Sequence, residues 1–316
     1  MHRLAEAIAA TGRFCCIIQD DKNFHPSWFK SSVKTVSAAY WRNTLLPELD
    51  PSRDVVVLPE TFLPQFDSYA PGLKRIIFNQ NGSYTFGLPG IQKNIQPSSV
   101  IDAYRNSDLL HVWVVSSHDK QLLSRGFGLN DHFVTVLPNC IDSSLFRPDQ
   151  VKGKTISYMP RKNSRDSDIV ISLLSCQAWF ADWQLLPIVN ASHSEVASLL
   201  KKSLFFLSFG HPEGFGLPVA EAMSAGCSVV GYSGLGGREL FTPPSATGIE
   251  TSRSVEFGDW FGFVSALNVL IDSFYADTAL YLESLKHHSN FIASQYSFEK
   301  MILSVSNSLD SIESSF

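Results

Sequence analysis

The chain has 316 residues, of which 44% are hydrophobic and 17% are charged, a composition typical of a globular protein with about two domains. Its 25 basic and 30 acidic residues give a net charge of −5, which offers no bulk attraction for nucleic acid or anionic lipid. Five cysteines without C-x-x-C spacing, a polar amino-terminal segment and the lack of a long apolar run predict a soluble, reduced protein.

Short apolar runs alternate with helical patterns along the chain. The runs that predict strands are, in chain order, 14–18, 55–58, 76–78, 111–115, 133–137, 156–159, 204–207 and 228–230. They are continuous, which is typical of strands covered on both faces in a parallel sheet. Helices are predicted over 194–202, 277–295 and 297–312. Two such blocks predict an α/β protein with two doubly wound domains.

The domain boundary is predicted in the polar stretch 147–154, which gives an amino-terminal domain over 1–150 and a second domain over 151–295. Ligands of open α/β sheets bind at the carboxyl ends of the strands, so a site is expected in a cleft between two such domains.

Two short motifs fail as binding sites. Gly153-Lys154-Thr155 resembles the end of a phosphate-binding loop, but Pro148 stands where that loop needs its first glycine. The triplet 166–168 resembles an acidic metal-binding motif, but it precedes an apolar helical segment and is better explained as a helix cap. No metal site is therefore expected.

The most informative segment, 204–227, contains a buried strand, a Gly/Pro loop and a helix. Gly214 and Gly216 leave the backbone open to close approach, Pro218 lies in the first helical turn and Gly226 ends the helix. The start of the helix presents free N–H groups and the positive end of the helix dipole, which suits phosphate.

Two carboxylates lie beside this predicted phosphate site. Glu213 is in the loop, and Glu221 is about one helical turn beyond Pro218. Phosphate repels a carboxylate that has no other partner. A vicinal diol is a suitable partner, because it donates two hydrogen bonds to the carboxylate. Phosphate with two polyols describes a nucleotide-sugar. A capped helix whose carboxylates only favour the dipole is the alternative, and the glycine spacing favours the binding site.

The segment from Glu213 to Glu221, with Gly-Phe-Gly-Leu-Pro between them, resembles the E-x7-E signature of retaining GT-B glycosyltransferases, specifically glycosyltransferase family 4. Three further segments resemble that family in order: 138–146, with Cys140 in place of the usual glycine, 158–162 and 229–239. The resemblance is strong over 138–240 and weak over the first 130 residues. It implies two Rossmann-like domains that face a cleft, with acceptor bound by the first and nucleotide-sugar by the second. It also implies a final helix, 296–316, that crosses back to the first domain.

Residue roles follow from the resemblance by position. Glu213 would hydrogen-bond the hydroxyls of the donor sugar, and Glu221 would bind the ribose. Arg161 would neutralise the diphosphate and stabilise it as a leaving group in place of a metal ion. Lys162 and Arg165 are alternatives for a second cation.

The remaining donor contacts are implied in the same way. The backbone of Phe215, Gly216 and Leu217 would hold the diphosphate and sugar, and the base would lie near Asn190. His211 is compatible with either a donor contact or a structural role.

The implied activity is that of a retaining, metal-independent hexosyltransferase. It would move a hexose from a nucleoside-diphosphate sugar, UDP-glucose foremost, to a hydroxyl of a carbohydrate or lipid-linked carbohydrate in cell-surface or exopolysaccharide synthesis. No cofactor and no nucleic-acid partner are expected, and the location is cytoplasmic with at most peripheral contact at the inner face of the membrane. A GT-B-fold sugar-nucleotide epimerase and a catalytically weak nucleotide-binding subunit of a glycan-assembly complex remain as alternatives.

The amino-terminal part departs from the family pattern. The polar segment 19–25 replaces the usual glycine-rich loop after the first strand. The segment 78–86 is typical either of a carbohydrate-contacting loop or of a surface turn at Asn81-Gly82. Glu60 and the pair 118–119 also follow strands, so they are expected at the cleft. The acceptor stays undetermined at this point.

Overall fold

The computed structural model describes residues 1–26, 31–87, 95–148, 151–242 and 247–314. In these ranges the α-helices are α1 (His2–Ala10), α2 (Ala38–Tyr40), α3 (Pro97–Tyr104), α4 (Ser117–Gln121), α5 (Ser164–Leu174), α6 (His193–Lys202), α7 (Leu217–Ser224), α8 (Trp260–Ala276), α9 (Thr278–Gln295) and α10 (Phe298–Glu313). The strands are β1 (Cys16–Gln19), β2 (Lys34–Ser37), β3 (Val55–Pro59), β4 (Lys74–Asn79), β5 (Leu109–Val114), β6 (Val134–Val136), β7 (Gly153–Tyr158), β8 (Gln184–Pro187), β9 (Ser203–Ser208), β10 (Ser228–Tyr232) and β11 (Ser252–Val255).

The chain divides into two compact units, residues 1–140 with 298–316 and residues 141–297. The predicted boundary between residues 150 and 151 touches residues 149 and 150, which lie outside the described residues. The assignment of acceptor to one domain and donor to the other stays a prediction.

The first unit contains two parallel sheets. β3, β4, β5 and β6 lie side by side in chain order, and β1 pairs with β2 separately. Within this unit α10 packs on α1, and Arg13, three residues beyond the end of α1, contacts Asp310 and Glu313 at 2.6 Å. The indole of the buried Trp113 in β5 donates to the hydroxyl of Ser308 in α10 at 2.8 Å. These contacts hold the last helix against the first sheet.

The second unit contains one five-stranded parallel sheet with the order β11-β10-β9-β7-β8. The strand order reverses between β7 and β9, where Tyr158 pairs with Leu207. This reversal is the switch point of a doubly wound sheet, and ligands bind beyond the carboxyl ends of the strands there.

The predicted α/β class is confirmed, and every predicted strand and helix is present within a few residues. The run 14–18 forms a strand only from Cys16, because Phe14 is 87% exposed. Three strands were not predicted, β2, β8 and β11, each of four residues at the edge of its sheet. An edge strand needs no continuous apolar run, which is why these segments carried no strand signal.

Gly231 lets the central strands of the second unit approach each other. Its φ is +131°, and a Cβ built there would overlap the backbone oxygen of Ser208 and lie 2.7 Å from the ring of Phe263. A side chain at this position therefore meets both backbone strain and a rigid neighbour.

We expect Gly231→Ala to lower the free energy of unfolding by about 2–4 kcal/mol, because overpacking adds to the strain of a positive φ. Urea unfolding of the purified chain measures this. Gly258→Ala is the matched control, since Gly258 has a φ of +84° with nothing within 4 Å of the added Cβ. The control should lose only about 1 kcal/mol. Equal losses in the two variants would contradict the steric explanation.

Candidate functional site

A pocket opens at the switch point of the second unit, beyond the carboxyl ends of β7 and β9. It is lined by Met159, Arg161, Lys162, Phe206, Leu207, Ser208, Phe209, Gly210, Glu213, Gly216, Pro218, Val219, Tyr232 and Ser233. These residues come from the ends of three neighbouring strands and from the start of α7, which parallel topology brings to one edge of the sheet.

The loop that carries Glu213 is held by hydrogen bonds on both sides. On one side, the Asn163 side chain donates to the carbonyls of Phe209 at 2.8 Å and His211 at 3.0 Å. On the other, the Glu213 N–H donates to the carbonyl of Gly234 at 2.7 Å. A Cβ at Gly234 would lie 2.5 Å from that of Glu213, so the loops touch at a position where only glycine fits. The backbone of Glu213 is therefore fixed.

The predicted start and end of the helix after this loop are confirmed. α7 begins at Leu217 after Gly216, whose φ is +90°, and Pro218 lies in its first turn. Gly226, with a φ of +82°, follows the end of the helix. The first-turn amides and the positive end of the helix dipole lie at the pocket with Gly216 and Pro218. This arrangement attracts an anion.

The three basic residues named from the sequence are not equivalent in the structure. Arg161 and Lys162 both line the pocket, whereas Arg165 lies in α5 and is not among the lining residues. Lys162 Nζ lies 2.8 Å from Glu213 Oε1 and donates to the carbonyl of Pro212 at 2.7 Å. Arg161 is solvent-exposed at the same pocket. Lys162 thus neutralises Glu213, and Arg161 presents its charge to solvent.

Glu221 lies one turn further along α7 and does not line the pocket. Its Oε1 is 2.9 Å from Nε2 of His193, the first residue of α6, and both side chains are largely buried. His193 was not predicted from the sequence as a site residue. The capping pattern of Ser192 and Glu195 marks the start of this helix, but nothing local connects position 193 with position 221.

Other residues named from the sequence occupy separate positions around the pocket. Phe215 is 3% exposed and packs on Tyr296 with ring centroids 4.8 Å apart, so only its backbone is available. Leu217 is 43% exposed at the helix start. Asn190 is exposed, with a left-handed φ of +52°, in the loop between β8 and α6. It lies three residues before His193, the first residue of α6.

His211 stacks on Phe257 with ring centroids 4.2 Å apart and planes 12° apart. Burial of the ring, with Lys162 nearby, lowers the pKa of His211. The lowered pKa favours the neutral imidazole. His211 is not among the residues that line the pocket.

The predicted helix cap at 166–168 is wrong by a few residues. α5 begins at Ser164 with Asn163 in the cap position, and Asp166 lies inside the first turn. Asp166 instead accepts a hydrogen bond from the hydroxyl of Tyr232 at 2.8 Å. Among the described residues no three His, Cys, Asp or Glu side chains are grouped to hold a metal ion. In the same part of the chain, no helix is both long and apolar enough to cross a membrane.

Polar residues also gather at the strand ends of the first unit. Glu60 follows β3, is 3% exposed and accepts from the backbone N–H of Gln80 at 2.9 Å; its burial raises the pKa of the carboxyl group. Asn79 is fully buried and donates to Thr85 and Tyr104. The segment 78–86, described as far as residue 87, is therefore anchored in the unit and is not a loose surface turn.

Comparisons with known proteins agree with this architecture. No protein-family profile matches the sequence. An α-1,6-glucosyltransferase of Actinobacillus pleuropneumoniae serotype 7 is 27% identical over 220 residues, which cover 67% of this chain and 59% of that protein. The matched region thus spans less than two thirds of the relative.

Solved structures of low sequence identity share the fold. A glycosyltransferase from Rickettsia africae has a TM-score of 0.68 at 15% identity, with 98% of this chain and 93% of that chain covered. HepE of Anabaena in complex with UDP and glucose has a TM-score of 0.63 at 10% identity, with 94% and 99% covered. The chain has an α/β fold of the GT-B type, as the sequence predicted.

We expect inorganic pyrophosphate to raise the thermal unfolding midpoint of the wild-type chain, because Arg161 and the start of α7 both favour an anion. Arg161→Ala should weaken pyrophosphate binding about tenfold, since it removes charge-assisted hydrogen bonds. A titration followed by differential scanning fluorimetry measures both effects.

Arg253→Ala is the control for this titration. Arg253 has the same charge, lies in the same unit and pairs with Glu250 at 2.6 Å, away from the lining residues. Its loss should leave the pyrophosphate response unchanged. If Arg161→Ala responded to pyrophosphate as strongly as wild type, the anion would bind elsewhere.

Proposed function

We propose that the chain is a retaining glycosyltransferase that moves a hexose from a UDP-sugar, UDP-glucose foremost, to a hydroxyl of a carbohydrate or lipid-linked carbohydrate. The pocket that joins Glu213, Arg161, Lys162 and the start of α7 carries this proposal. The glucosyltransferase relative and the UDP and glucose of the HepE complex support it. The named glycosyltransferases favour transfer over the epimerase alternative.

The donor would lie with its diphosphate at the start of α7. The backbone amides of residues 215–217 and the guanidinium of Arg161 supply positive charge there, and negative charge grows on the diphosphate as the sugar leaves. Stabilisation of that charge lowers the barrier to cleavage of the glycosidic bond. Arg161 therefore acts on the leaving group.

Glu213 would accept hydrogen bonds from the hydroxyls of the donor sugar. Its carboxylate can stand beside a diphosphate because Lys162 Nζ lies 2.8 Å away and offsets its charge. Lys162 thus favours a bound diphosphate in two ways, because it offsets the charge of Glu213 and adds a positive charge of its own. It is therefore favoured over Arg165 as the second cation. The ribose would meet Glu221, and the base would lie near Asn190.

Retention needs no side-chain nucleophile in this proposal. The bond between the anomeric carbon and the phosphate oxygen breaks, and the acceptor oxygen bonds to that carbon on the same face. The acceptor proton passes to the departing phosphate. The first unit would bind the acceptor, at the cytoplasmic side of the membrane and in the synthesis of a cell-surface or exopolysaccharide glycan.

We expect Arg161→Ala to lower kcat for release of UDP from UDP-glucose by about 10²–10³-fold, because a preorganised charge that stabilises the leaving group is lost. Glu213→Gln should lower kcat/KM, whereas Arg253→Ala should not. Water or a panel of glucosides serves as acceptor, and released UDP is measured.

NMR should show the α-anomer as the first product from UDP-α-glucose. A β-anomer as first product would overturn retention.

We also propose that Arg161 and the helix dipole replace a metal ion at the diphosphate. Excess EDTA should therefore change the rate of UDP release by less than about twofold. The same assay in metal-depleted buffer, with Mg²⁺ and Mn²⁺ restored separately, measures this. Loss of activity in EDTA that either metal restores would contradict metal independence and leave the transferase proposal standing.

A further inference from the structure

A histidine in one helix contacts a carboxylate in the next. His193 Nε2 lies 2.9 Å from Glu221 Oε1, with the side chains 23% and 15% exposed. Nε2 donates this hydrogen bond both in the protonated imidazole and in the neutral tautomer with hydrogen on Nε2. The contact therefore does not require a charged histidine.

The position of His193 is fixed independently of Glu221. A capping box between Ser192 and Glu195 holds the start of α6, where His193 is the first helical residue. The ring of Phe146, which is fully buried, meets the imidazole at a centroid distance of 4.9 Å and an angle of 62°. The carbonyl of Phe146 in turn accepts from Ser224 of α7 at 2.7 Å. The imidazole is thus a rigid donor.

A carboxylate that binds a vicinal diol must be held in one orientation toward the two hydroxyl groups. A glutamate side chain loses considerable rotamer freedom when it is fixed, and a ligand must supply that free energy unless the protein has already done so. His193 fixes Oε1 before any ligand arrives and leaves the lone pairs of Oε2 available. It also offsets repulsion between Glu221 and a bound phosphate when it is protonated.

We propose that His193 is a positioning residue that orients Glu221 to bind the ribose hydroxyls of the donor nucleotide. This inference rests on the proposed function, because it requires a nucleotide at the start of α7. It adds a residue that lies outside the signature segment and comes from a different helix.

Isothermal titration with UDP and 2′-deoxy-UDP tests the proposal. Wild type should bind UDP about 10-fold to 100-fold more tightly than 2′-deoxy-UDP, because one hydrogen bond to a carboxylate is lost. His193→Ala should weaken UDP about tenfold and 2′-deoxy-UDP, which keeps only the 3′-hydroxyl, by about threefold, so that the preference shrinks. His193→Gln, which keeps an N–H donor, should retain most of the preference.

His287→Ala is the matched control. His287 also pairs with a glutamate, Glu283, but on the exposed face of α9 at 3.7 Å. It should change neither affinity. A double-mutant cycle tests the coupling directly. If the two side chains act together, His193→Ala in a Glu221→Gln background should lower the affinity for UDP by less than about twofold.

Each adverse outcome has a separate meaning. Equal weakening of UDP and 2′-deoxy-UDP by His193→Ala would show that His193 supports only the fold, and would overturn the inference. A wild type that binds UDP without preference over 2′-deoxy-UDP would also overturn it while leaving the glycosyltransferase proposal intact. If wild type binds none of UDP, GDP and ADP, the proposed function fails and the inference fails with it.

Discussion

The candidate site depends on one electrostatic constraint, which is that carboxylates stand at the positive end of a helix built to attract an anion. Glu213 precedes α7 and Glu221 lies within it, and either would repel a phosphate there if it were unpaired. Each has a nitrogen partner from another element. Lys162, just beyond β7, contacts Glu213 at 2.8 Å, and His193, at the start of α6, contacts Glu221 at 2.9 Å. The charge of Lys162 offsets that of Glu213, and the N–H of His193 donates a hydrogen bond to Glu221; both contacts favour a carboxylate beside a bound anion.

These pairings require that the loops carrying Lys162, Glu213 and His193 be held within hydrogen-bond distance of their partners. The packing of the second unit fixes these loops. The Ser208 hydroxyl donates to the backbone carbonyl of Tyr232 at 2.8 Å, which joins the ends of β9 and β10 at the pocket. Asn163 holds the next loop by two backbone carbonyls. At Gly231 and Gly234 the neighbouring chain comes too close for any side chain. These two glycines, which lie in the segment 229–239 that resembles the family, therefore allow close contact between neighbouring strands and loops.

The sequence predicted what is determined locally. Segment 204–227 contains a buried strand, loop glycines, a proline in the first helical turn and a terminal glycine, and each of these acts on its own neighbours in the chain. The edge strands β2, β8 and β11 were missed because they are stabilised by a partner strand more than by their own apolar pattern. The contact of His193 with Glu221 was missed for the same reason, since 28 residues separate them.

The two units differ in how far sequence can assign their function, and the reason is physical. A diphosphate presents the same charge in every nucleotide-sugar, so a helix start, a cation and a few glycines suffice to bind it. Such a pattern can be detected in the sequence of one chain. An acceptor is recognised by the positions of its individual hydroxyls, which side chains from several strand ends must match. In the first unit those ends carry Glu60, Asn79 and Asp119, all buried and drawn from separate parts of the chain. If the first unit binds the acceptor, as we propose, its specificity depends on how the fold arranges these strand ends, which lie far apart in the sequence.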